Sequence, residues 1–161
     1  MSDLLVAAAT YFAEQGWPVG QHDSLPVLRL EYEGAHGTWP CFVKIDEARH
    51  QVSVISVLPD TVAAEYRTEV AVFLTRANYL VPLGHFDMDF SDGEVRFRAT
   101  VNVSHASFTS GLLDPLVKTN WVVVDQHLPE LRAVASGERT AEDAMSRIID
   151  DSGNIDFDFT R

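Results

Sequence analysis

A chain of 161 residues, 46% of them apolar, suits one domain with a real core and excludes a disordered polypeptide. A formal charge of −12 excludes the basic surface that nucleic acid or an anionic membrane requires, and no apolar run approaches the ~18 residues of a membrane span. A single cysteine, Cys41, excludes an internal disulfide, and no basic leader with a long apolar run is visible, so the expected location is the cytoplasm.

Ser2 or Asp3 can cap a first helix reaching residue 15. Its apolar side is Leu4, Leu5, Ala8, Tyr11 and Phe12, and Gly16 is a natural terminating residue. A loop opening on Trp17 and Pro18 follows. Leu28, Leu30 and Tyr32 then alternate with Arg29, Glu31 and Glu33, the period of a strand. Residues 34–37 turn the chain into a second strand over 39–46, with Cys41, Val43 and Ile45 on one face and Phe42 and Lys44 on the other. A third strand covers 51–58. Pro59 stops it, and Asp60 or Thr61 can cap the next helix.

Residues 62–103 are the unit around which the rest is built. Val62, Tyr66, Val70, Phe73 and Ala77 recur at helical spacing and predict an amphipathic helix over 62–77. Asn78 can end it in the left-handed conformation, and Pro82 prevents its resumption. Asp92-Gly93 between two alternating runs signals a hairpin with a type I′ turn. Counting outward pairs Phe90 with Val95, Met88 with Phe97 and Phe86 with Ala99 on an apolar face. Asp89 then meets Arg96 and Asp87 meets Arg98 on the other face.

Beyond the hairpin, Asp114-Pro115 fits a helix start with Asp at the N-cap. That helix carries Leu116, Trp121, Val123, Val124, His127 and Leu128. Pro129 is expected to kink or interrupt it before Leu131 and Val134 carry it to Gly137. Thr140 to Asp143 resembles a capping box for a short helix through Ile149. Ile155, Phe157 and Phe159, alternating with acids, read equally as a loose tail or an edge strand. The order α-βββ-α-ββ-α predicts an α+β domain, a five-stranded antiparallel sheet with helices packed on it, over residues 1–137. Residues 138–161 are set apart as a C-terminal short helix and acidic tail.

Signatures of chemistry are absent. The six histidines are scattered, none pairs with another at i, i+4, and no Cys-x-x-Cys exists, so no metal site is expected. No nucleophile elbow, phosphate loop or dinucleotide glycine motif occurs, so no cofactor and no catalytic residue is expected. Residues 107–111, rich in Ser and Thr before a helix, read as a helix cap or, alternatively, an anion cradle. Asp87 to Arg98 fails as a calcium loop, because glycine stands at the seventh position and arginine at the twelfth. Cys41 reads as a small inward hydrophobe. Trp39, Phe42 and Trp121 fit the core poorly and are the candidate partner-binding residues, an exposed apolar patch for another protein or a second copy; the alternative is a satellite cluster covering a helix edge.

The stretch Phe73 to Phe90, with Asn78-Tyr79 ahead of Gly84-His85-Phe86, followed by Asp92-Gly93-Glu94-Val95-Arg96-Phe97-Arg98, resembles the bacterial YbjN family. That family is similar in fold to the small acidic chaperones of type III secretion. The resemblance implies a secretion-chaperone-like fold and a non-enzymatic, cytoplasmic, homodimeric protein. It implies binding of a protein or peptide partner, in signalling or stress regulation. It carries no catalytic residue across. The competing reading is a small-ligand binder or enzyme using a pocket between helix and sheet.

Overall fold

In the computed structural model, which describes residues 3–152, alternation and turn chemistry build a six-stranded, fully antiparallel sheet with four helices on one face. The helices are α1 (Asp3–Glu14), α2 (Arg67–Leu80), α3 (Ser110–Ala135) and α4 (Ala141–Asp151). The strands are β1 (Gly20–Gln21), β2 (Val27–Glu33), β3 (Thr38–Asp46), β4 (Gln51–Val57), β5 (His85–Met88) and β6 (Val95–Asn102), in spatial order β1-β2-β3-β4-β6-β5. One strand more than the five expected is present, because Gly20 and Gln21 pair with Arg29 and Leu28. The tail residues Ile155, Phe157 and Phe159 lie outside the described residues.

Strand parity decides what is buried. Leu30, Cys41, Ser56, Phe97 and Phe86 form one continuous row across the sheet beneath the helices. Arg29, Phe42, Ile55, Arg98 and His85 form a row on the uncovered face. Trp39 shares parity with Cys41, and its side chain is fully buried. α4 contributes Ala141, Ala144 and Met145 to the core shared with α2 and α3.

The hairpin register differs from the expected one by two residues. Met88 pairs with Val95, Phe86 with Phe97, and Asp87 with Arg96. An even shift leaves every side chain on its expected face, so burial alone does not distinguish the two registers. Turn geometry does. Only Gly93 has positive φ, whereas a type I′ turn needs it at both central residues. The loop is longer, closed by Asp89 N–H to Glu94 O (2.9 Å) and Gly93 N–H to Asp89 O (2.7 Å). The Asp89 carboxylate accepts from the Ser91 N–H and hydroxyl, and Asp92 accepts from the Glu94 N–H. Phe90 therefore sits at the loop tip, 56% exposed, rather than against Val95. Asp87 keeps Arg98 as an ion-pair partner, while Arg96 takes Glu94 instead of Asp89. Val62 donates its N–H to Gly93 O at 2.9 Å, and a Cβ on Gly93 would lie 2.1 Å from Val62 O. Only glycine fits there.

Four expectations about helix ends change. α2 begins only at Arg67, after a 3-10 turn over Ala64–Tyr66, so neither Asp60 nor Thr61 caps it and Val62 precedes the helix. α2 runs on to Leu80, so Asn78 is a helical residue and not a left-handed cap. α3 starts at Ser110 with Thr109 at its N-cap, which places Asp114 and Pro115 inside the helix. α3 also passes through Pro129 without a break. Proline at 129 cannot donate to the carbonyl of Asp125. That carbonyl instead accepts from His36 Nδ1 at 3.0 Å, and the Asp125 carboxylate accepts the His36 N–H at 2.9 Å. The β2–β3 turn thus supplies the hydrogen bond that the proline removes.

α3 is pinned to the sheet by a buried polar network. Asn120, fully buried, donates from Nδ2 to Val54 O (3.0 Å) and Phe97 O (3.2 Å). Its Oδ1 accepts from Ser56 Oγ at 2.5 Å, and Ser56 in turn accepts from Trp39 Nε1 at 3.0 Å. Asn120→Leu strips the hydroxyl of its acceptor in a site that water does not reach. The expected loss is ~2–4 kcal/mol, read as a lower urea midpoint at unchanged slope, whereas Phe90→Ser at the exposed loop tip should shift it little.

Candidate functional site

The two edges of the sheet are treated differently. On the β5 edge, Asp89 N–H bonds to Glu94 O across the hairpin, so the alternation of an antiparallel ladder turns the backbone of Phe86 outward. Asn78 fills that position. Its side-chain Nδ2 donates to Phe86 O at 2.9 Å and its Oδ1 accepts the Phe86 N–H at 2.6 Å. A carboxamide from α2 thus pairs with the edge as another strand would.

Among the described residues the β2 edge is open. Gly34 N–H bonds to Gly37 O and His22 N–H bonds to Val27 O, which fixes the ladder's phase. Leu30 and Tyr32 point their backbone groups toward β3, and Glu31 and Glu33 point theirs away. β1 covers only Leu28 and Arg29. Its register would bring Pro18 opposite Glu31, but proline has no N–H, and Trp17 N–H is committed to Phe12 O at 2.9 Å. Among the described residues no backbone group pairs with Glu31 or Glu33 on that side.

Beside this edge lies a cleft of about 470 Å³, walled by Trp17 and Pro18, by Tyr32, and by Lys118, Trp121 and Val122 of α3. Tyr32 and Trp121 stack at 4.3 Å between ring centroids, and Trp17 meets Trp121 edge-on at 4.8 Å. Three aromatic rings from the α1–β1 loop, β2 and α3 thus make one apolar wall. Lys118 is held by Asp114 at 2.9 Å, and Glu31 is paired with Arg29. Glu33 has no ion-pair partner among the described residues.

The three residues expected to form one patch are not brought together. Trp39 is fully buried and offers a partner no surface, because it lies on the helix-covered face and its indole N–H is taken by Ser56. Trp121 is 5% exposed, with that remainder at the cleft. Phe42 is half-buried on the opposite, uncovered face beside Ile55. The cleft residues that composition did not single out are Trp17, Tyr32 and the free edge of Glu31 and Glu33. Their signal in the sequence is Pro18, which prevents the ladder from continuing. Cys41 is fully buried, and burial pushes its thiol pKa up to about 11, a poor nucleophile. Among the described residues no cluster of three or more His, Cys, Asp or Glu could hold a metal ion, and no helix is long and apolar enough to cross a membrane.

A second, smaller hollow of about 270 Å³ lies among Leu80, Pro82, His127 and Ile149, where the ends of α2 and α4 meet α3. His127 is buried on Phe86 and donates Nδ1–H to Val123 O at 2.7 Å.

No protein-family model matches the sequence, and no curated protein does. The fold is YbjN-like and secretion-chaperone-like. YbjN from E. coli aligns at a TM-score of 0.58 and 12% identity, covering 78% of this chain and 91% of that one. A chain of the ExsC–ExsE complex aligns at 0.51 and 14% identity, covering 73% and 84%. A chain of the HopA1–SchA chaperone–effector complex aligns at 0.50 and 11% identity, covering 84% and 98%. At these identities the likeness is one of fold.

Burial holds the His127 pKa below its usual value, so the folded chain keeps this ring neutral while the unfolded chain protonates it near pH ~6.5. Its contribution to stability is therefore complete above that pH and declines as pH falls below it. In urea titrations the wild type should lose stability between about pH 7.5 and 5.5, and His127→Gln should lose measurably less.

Proposed function

We propose that this protein is a non-enzymatic, chaperone-like or regulatory module that binds an extended segment of a partner protein along the open edge of β2. One observation carries the reading. One sheet edge is closed by the Asn78 side chain, while among the described residues the other leaves the backbone of Glu31 and Glu33 unpaired beside an aromatic cleft. An added strand gains affinity from main-chain hydrogen bonds and selectivity from alternate side chains entering the cleft. SchA and HopA1 form a chaperone–effector complex, and ExsC and ExsE form a complex, so the same fold is found engaged with protein partners elsewhere. The reading extends to cytoplasmic signalling or stress regulation, where a buried, lone Cys41 remains a thiol.

A homodimer belongs to the same proposal. The uncovered sheet face carries Phe42, Ile55 and Val57, all half-buried with no helix of the described residues over them, and a second copy would remove them from water.

Glu31→Pro is the selective test. Its N–H faces the open edge, so proline removes a donor from the partner's side and none from the β2–β3 ladder. Affinity capture from the native cell extract should fall by about tenfold with this variant, while the melting temperature stays close to wild type. Phe42→Ser should retain capture and, in light scattering, convert a dimer mass to a monomer. Undiminished capture by Glu31→Pro contradicts the edge; a wild-type chain that is strictly monomeric contradicts the dimer.

A further inference from the structure

The open edge also dictates the chemistry of its occupant. We infer, resting on the edge reading above, that the segment added to β2 alternates apolar residues with basic ones. A strand laid along Leu30 to Glu33 presents successive side chains to opposite faces of the sheet. Those on the helix side enter the cleft against Trp17, Tyr32 and Trp121, whose rings favour apolar or aromatic groups, with Lys118 at its wall already held by Asp114. Those on the uncovered side stand beside Glu31 and Glu33, which share that face.

The two glutamates are not equivalent. Glu31 is already paired with Arg29, and Lys118, the cation at the cleft, is already held by Asp114. Glu33 is exposed and has no ion-pair partner among the described residues. Among the described residues, the charge left unpaired along this edge is therefore negative and sits at Glu33. Opposite charges on neighbouring strands attract and like charges repel. A lysine or arginine on the added strand would complete the Glu33 pair, and an acid there would be repelled by it. The whole chain adds to the same preference through its formal charge of −12, but only at long range and subject to salt.

The test uses short synthetic peptides, one alternating valine with lysine, one alternating valine with glutamate, and one with the first peptide's composition and its valines clustered. Binding is followed by calorimetry at physiological salt to wild type, Glu33→Lys and Glu31→Pro. Glu33 is exposed, so its reversal leaves the core untouched. The valine–lysine peptide should bind wild type more tightly than the valine–glutamate peptide by several-fold, on the order of fivefold for the Glu33 pair. Glu33→Lys should remove or invert that ratio although the chain stays strongly acidic, and the clustered peptide should bind weakly. Equal binding of the two alternating peptides, or a lysine preference unchanged in Glu33→Lys, overturns the charge rule; loss of that binding in Glu31→Pro would show that the edge reading survives it. Failure of every peptide to bind wild type overturns the edge reading and this inference together.

Discussion

The carboxamide of Asn120 is the joint between the longest helix and the middle of the sheet. It uses both of its polar ends in a fully buried site: two strand carbonyls receive its N–H groups and Ser56 reaches its oxygen. Such a network is favourable only when complete, so it admits one placement of α3 over the sheet. Sliding the helix by one turn, about 5.4 Å, would leave the buried amide without its partners and the Ser56 hydroxyl without its acceptor. Everything on α3 that bears on the surface follows from this placement. Trp121, the next residue, is set against Tyr32 and Trp17 at the cleft. Asp125, further along, is set beneath the β2–β3 turn, where it holds His36 and where a Cβ on Gly34 would lie 2.3 Å from its carboxylate oxygen.

The same economy of polar groups explains why the edges differ. An exposed strand edge invites pairing with other chains, and proteins ordinarily blunt it. Here β5 is blunted by Asn78, a side chain that reproduces both hydrogen bonds of a neighbouring strand. β2 is not. β1 covers its first residues and then the ladder meets Pro18, which leaves the stretch nearest the aromatic cleft unpaired among the described residues. An edge left unblunted among the described residues, next to an apolar hollow, is the feature on which the proposed binding of a partner segment rests.

Much of this was legible in the sequence. The parity of Leu28 and Leu30, of Cys41, Val43 and Ile45, and of Val95, Phe97 and Ala99 gives the buried face directly, since period-two alternation is a local property. Trp39 was legible too, because it shares parity with Cys41 and so belongs on the buried face. The hairpin's faces were readable but not its register, because registers two residues apart bury the same set and differ only in loop hydrogen bonds. What could not be read depends on partners distant in the chain. Asn78 looks like a helix cap until Phe86 is brought beside it. Pro129 looks like a helix break until His36 takes the Asp125 carbonyl. The open edge itself is a relation between Pro18 and Glu31, which no local window contains.

Backbone amide exchange, followed by NMR on the intact chain with and without the valine–lysine peptide, distinguishes an open β2 edge from a covered one. The account predicts that the amides of Glu31 and Glu33 exchange on the order of a hundredfold faster than those of Leu30 and Tyr32 in the free protein, while Phe86 on the opposite edge is already slow. Saturation with the peptide should slow Glu31 and Glu33 and leave Phe86 as it was. Glu31 and Glu33 amides as protected as their strand neighbours in the free chain, or unchanged once the peptide is bound, would contradict it.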